Sequence, residues 1–89
     1  MKFMVTWSTE AIHQKEAVAR FLKTGGGPPA GVKMLGRWHR SGGGFVLAET
    51  NDAKAIYEWT GQWADLLDFT VSPVLDDAEA SEVFKKTQA

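Results

Sequence analysis

Apolar and polar positions alternate from Lys2 to Trp7, with Phe3, Val5 and Trp7 on one side and Lys2, Met4 and Thr6 on the other. This period of two predicts a first strand. Ser8 and Thr9 are good N-cap residues and Glu10 suits the positive end of a helix. Helical spacing then gathers Ala11, Val18 and Leu22 on one stripe, flanked by Ile12, Ala19 and Phe21, which predicts the buried face. His13, Glu16, Arg20 and Lys23 fall opposite, with Glu16 and Arg20 spaced to pair, and Lys15 lies beside the stripe as a snorkelling side chain. Gly25 stops the helix and Pro28 and Pro29 prevent its continuation.

Thr24 to Gly31 is a glycine- and proline-rich connection without the phosphate-loop pattern. Val32–His39 and Gly44–Thr50 predict two strands joined by a turn over Arg40–Gly43, where glycines permit positive φ. Asn51 or Asp52 caps a second helix whose buried stripe is Ala55, Ile56, Trp59, Trp63 and Leu66, with Tyr57, Glu58 and Thr60 outside it. Leu67–Leu75 predicts a fourth strand with Phe69, Val71, Pro73 and Leu75 on one face. Pro73 cannot donate to a ladder, which assigns that strand to a sheet edge. Asp76, Asp77 and Glu79 open a terminal helix ending at Lys85 and Lys86, docked through Ala80, Val83 and Phe84.

The order βαββαβ plus a tail helix predicts a ferredoxin-like α+β domain spanning 1–89, with strand order 4-1-3-2 in an antiparallel sheet. Two helices cover one sheet face. The other face carries bulky residues, since neighbours such as Met4 and Val5, Met34 and Leu35, or Val46 and Leu47 place apolar side chains on both sides. That open face calls for a partner, and a second copy related by a two-fold axis is the economical one.

Composition narrows the function classes. Ten Lys and Arg balance eleven Asp and Glu, which argues against nucleic-acid binding by phosphate neutralisation and against an anionic membrane surface. With no Cys and two His, disulfides, thiolate chemistry and a recognisable zinc site drop out, and no cofactor is implied. The N-terminus runs directly into a strand pattern and no apolar run reaches membrane length, so the expectation is a soluble, cytoplasmic protein.

MKFMVTW, GVKMLGRWH, GGGFVLAETND, EWTGQWADLLDF and VSPVLDD together resemble the dimeric α/β-barrel superfamily, and within it a family of short bacterial proteins of unknown function. The resemblance covers nearly the whole chain and implies fold and homodimeric assembly. The superfamily includes cofactor-independent monooxygenases, haem-degrading enzymes, isomerases and plain ligand binders, and fold alone does not choose among them. The haem-degrading members use an Asn, a Trp and a His. Here Thr6 stands in the first strand and Asn51 at a helix cap, so that activity is not carried over.

The densest polar chemistry lies in the central hairpin. Arg37 and His39 share a face of the second strand and Trp38 takes the other. A three-residue turn brings Glu49 to the face of Arg37 and His39; a two- or four-residue turn sends it to the face of Trp38. His39 offers a general acid/base or a hydrogen-bond donor near neutral pH, Arg37 an anion or enolate contact, and Glu49 an orienting carboxylate. The alternative is structural: an Arg37–Glu49 pair, with His39 closing the end of the sheet. Trp7, Trp38 and Thr6 complete the candidate ligand contacts. Two readings follow: a homodimer binding a small anionic or aromatic ligand in a barrel pocket without turnover, and a cofactor-independent monooxygenase or isomerase acting on a flat, enolisable substrate through His39 and Arg37.

Overall fold

The alternating segments pair into one four-stranded antiparallel sheet, completed by three helices. The computed structural model describes residues 1–88, in which β1 is Lys2–Ser8, α1 Ala11–Thr24, β2 Lys33–Arg40, β3 Gly43–Glu49, α2 Ala53–Gly61, β4 Asp68–Val74 and α3 Asp77–Thr87. This is the βαββαβ arrangement with strand order 4-1-3-2, and β4 with its Pro73 lies at an edge. β1, alternating and central, sets the two faces. Phe3, Val5 and Trp7 stand opposite Ala48, Val46 and Gly44 on β3 and opposite Pro73, Val71 and Phe69 on β4.

α2 covers that face. Ile56 and Trp59 join Phe3, Val5, Val46 and Ala48 in the buried cluster, while Tyr57 is exposed. Asp52 caps α2 by accepting from the Lys54 N–H at 3.0 Å, satisfying a donor that the first turn leaves free.

α1 departs from the sequence expectation in several ways. Only Ala17 is buried, and the stripe expected inside points outward: Ile12 is 81% and Leu22 78% exposed, with Val18 half exposed. The inward side is Ala17 with Phe21, His13 and Arg20 partly buried beside it. The helix turns this way because its contacts are specific rather than generally apolar. Arg20 makes a two-pronged ion pair with Asp65 at 2.9 and 2.7 Å instead of pairing with Glu16, and its guanidinium lies 5.3 Å from the Trp63 ring. Lys15, beside the outward stripe, is solvent-exposed. Thr9 does not cap α1 because its hydroxyl donates to the Leu66 carbonyl at 3.1 Å; Glu10 occupies the cap position without a side-chain bond.

The β2–β3 hairpin closes between Arg40 and Gly43, so its loop is the two residues Ser41 and Gly42. Gly42 takes φ 74°, a conformation that glycine adopts without Cβ strain. The register pairs His39 with Gly44, Trp38 with Phe45 and Arg37 with Val46, and a bulge between Met34 and Gly36 then sets Lys33 against Glu49. Gly44 makes room for Trp7: a Cβ there would lie 2.4 Å from the indole.

α3 also differs from expectation. Its cap is a reciprocal capping box, with Asp76 accepting from Glu79 N–H and Glu79 accepting from Asp76 N–H. Yet no α3 residue is buried, and Phe84 is 61% exposed. The docking expected of Val83 and Phe84 does not occur within the chain. Among the described residues no helix is long and apolar enough to cross a membrane.

Candidate functional site

Because α1 presents the small Ala17 to the sheet rather than its bulkiest stripe, it leaves space beneath it. A cavity of about 310 Å³ lies between α1, the start of the α2–β4 connection and the helix-covered face of the sheet. Its walls include Val5, Trp7, Phe21, Trp59, Trp63 and Phe69. Arg37 and His39 border it from β2, placed there by strand alternation and by the two-residue hairpin loop.

Arg37 is the distinctive polar group. It reaches from β2 to the C-terminal end of α1, donating to the Gly26 carbonyl at 2.8 Å and the Gly25 carbonyl at 2.9 Å. A cation there also suits the negative end of the helix. Its guanidinium stacks over Phe21 at 4.9 Å. Among the described residues it forms no ion pair. Burial pulls its pKa below the usual arginine value with no acid to offset that effect, though a guanidinium stays protonated at neutral pH. Two carbonyls use two of its five N–H donors, so donors remain for an anion at the cavity wall.

His39 meets Trp7 and Phe21 edge-on, with ring centroids 5.4 and 5.2 Å away. Its exposed imidazole has no hydrogen-bond partner among the described residues. Trp59 Nε1–H donates to the Gly26 carbonyl at 3.3 Å, joining α2 to the loop that Arg37 also holds.

The other sequence-predicted residues are elsewhere. Trp38, Thr6 and Glu49 lie on the opposite, open face of the sheet. Trp38 stacks on Phe45 at 5.2 Å. Glu49 is 3.8 Å from Lys2 Nζ, in a cluster where Lys2 also meets Asp76 at 3.4 Å and Glu79 at 3.8 Å. The two-residue loop, rather than a three-residue one, sends Glu49 away from Arg37 and His39, so no Arg37–Glu49 pair forms. The candidate set thus divides: Arg37, His39 and Trp7 converge on the cavity, and Trp38, Glu49 and Thr6 do not.

Sequence reasoning missed Phe21, Gln14 and Thr60 as cavity residues, and for Trp59 and Trp63 it preferred core packing over a pocket wall. Phe21 carried a usable signal. With His13 and Ala17 it forms an i, i+4, i+8 line on α1, but the more apolar line through Val18 and Leu22 outweighed it. Among the described residues no group of three His, Cys, Asp or Glu side chains could hold a metal ion.

Fold and cavity together define a small α+β scaffold with an aromatic recess under its first helix. The chain belongs to the family described as Domain of unknown function (DUF3303), whose match spans residues 1–88. Comparison with curated proteins and with solved structures returned no match to either.

Proposed function

We propose that this chain is a homodimeric small-ligand-binding protein of the dimeric α/β-barrel type, taking a flat, anionic molecule into the cavity beneath α1. The observation that carries this reading is Arg37: a partly buried guanidinium without a carboxylate partner among the described residues, at the wall of an aromatic cavity. An anion would supply the missing counter-charge, and Trp7, Phe21 and Trp63 would stack on or enclose a planar body. The cavity's volume falls near the lower end of the range for small-molecule sites, about 300–1,000 Å³. On this reading the ligand sits between helices and sheet rather than between two sheets, and Trp38, Thr6 and Glu49 belong to the interface between copies.

Binding without turnover is favoured over catalysis because, among the described residues, His39 meets only aromatic rings and no group that would orient it as a general base. The homodimer is supported by the open face, where Trp38 and Phe45 are exposed as a stacked pair beside partly covered Met4 and Leu47.

The test is a thermal-shift screen of flat aromatic carboxylates against wild type, Arg37→Lys and His39→Ala, each compared with its own ligand-free midpoint. A ligand at one hundred times its Kd stabilises by about 2.7 kcal/mol. The expected result is stabilisation of wild type and its loss in Arg37→Lys, which keeps charge but not the planar fork. Equal stabilisation of wild type and Arg37→Lys would reject the site.

A further inference from the structure

We infer that α3 is an arm exchanged between copies, packing Val83 and Phe84 against a second molecule of this chain. This rests on the homodimer proposed above and adds the element that completes its interface.

The first observation is shape. The radius of gyration is 15.1 Å and the longest extent 52 Å, whereas a compact chain of this length has a radius of about 12 Å. The second is surface. The chain exposes 6188 Å², while a compact 9.8 kDa monomer exposes about 5,200 Å². The excess, about 1,000 Å², resembles the roughly 800 Å² that each partner contributes to a stable interface.

The third observation concerns α3 itself. None of its 11 residues is buried within the chain, and only Glu79 and Ala80 are partly covered. Isolated helices shorter than about 12–15 residues are marginal in water, so an ordered α3 needs packing from elsewhere. Helical spacing puts Ala80, Val83, Phe84 and Thr87 on one side, where Ala80 is partly covered but Val83 is 45% and Phe84 61% exposed.

The fourth is attachment. Lys2 belongs to the open face of β1, and it holds Asp76 and Glu79 at the root of α3 while also facing Glu49 on β3. The arm therefore starts at the border of the open face that the second copy is proposed to cover. A second copy is the committed occupant because one two-fold contact covers both unpartnered surfaces.

The experiment compares wild type with the Val83→Asp, Phe84→Asp double variant in a sedimentation dilution series. It adds an isotope-filtered NMR experiment on a mixed labelled and unlabelled sample. The substitutions replace exposed residues, so each chain keeps its fold, checked by the tryptophan fluorescence of Trp59 and Trp63. The expected result is a dimer dissociation constant raised at least tenfold in the variant, with contacts between the Phe84 ring and the other chain in wild type. An unchanged dissociation constant, or Phe84 contacts confined to its own chain, would overturn the arm while leaving the sheet-face dimer standing. A wild type that stays monomeric would overturn both.

Discussion

α1 and α2 lie on the same sheet face, yet they are attached by different physics. α2 has nine residues and buries Ala55, Ile56 and Trp59. α1 has fourteen and buries only Ala17. What holds α1 is a set of polar ties at its ends: Arg37 to the Gly25 and Gly26 carbonyls, Arg20 to Asp65, and Thr9 to Gly42 and Leu66. The apolar helix fills its share of the core, and the tied helix leaves the cavity. A helix that closes a core completely offers no room for a ligand; one held by directional bonds over a small side chain does.

That contrast breaks most sharply at Trp59. Trp59→Ala should cost about 3–5 kcal/mol in a denaturant series, the range for truncating a buried large aromatic. A cost under 1 kcal/mol would show that α2 does not anchor the core. Arg37→Met removes two bonds to backbone carbonyls and should cost about 1 kcal/mol, because the bond to Gly25 is exposed and water replaces part of the loss. The loss should appear as faster amide exchange in α1 while α2 stays protected; equal loosening of both helices would contradict separate attachment.

Asp65 sharpens the same contrast through pH. The hydrogen bond from Arg20 holds its carboxyl below the usual aspartate value. A depressed folded-state pKa contributes stability above the ordinary aspartate range near pH 4, and that stability is lost as pH falls through the folded value. Wild type and Asp65→Asn should therefore differ in denaturant midpoint at pH 6 and converge in strong acid. A difference that persists in acid would assign the effect to something other than this ion pair. The smallest expected effect is Leu22→Ala, on the outward stripe of α1, at no more than about 0.5 kcal/mol. A cost above 2 kcal/mol would mean that this stripe is covered.

Much of the fold was legible because its signals are local. Alternation fixed β1, Pro73 assigned β4 to an edge, and the Ile56–Trp59 spacing oriented α2 toward the core. Two things were not legible. The rotation of α1 depends on partners distant in sequence: Asp65 lies 45 residues from Arg20, and hydrophobic periodicity cannot register a partner of that kind. The face that Glu49 takes relative to Arg37 and His39 depends on the hairpin loop length, and a one-residue change there exchanges the two faces. Arg37 and His39 escaped that uncertainty because they alternate on one strand, so whichever face took one also took the other. What sequence could not supply was which face lay under the helices.

The most direct measurement is a two-dimensional amide and indole NMR titration of the native protein with a flat aromatic acid such as naphthoate. The account predicts saturable shifts at Phe21, Gly26, Arg37 and His39 and at the Trp63 indole, with Met4 and Leu47 on the open face unmoved. Shifts confined to the open face, or a titration unchanged by Arg37→Lys, would contradict it.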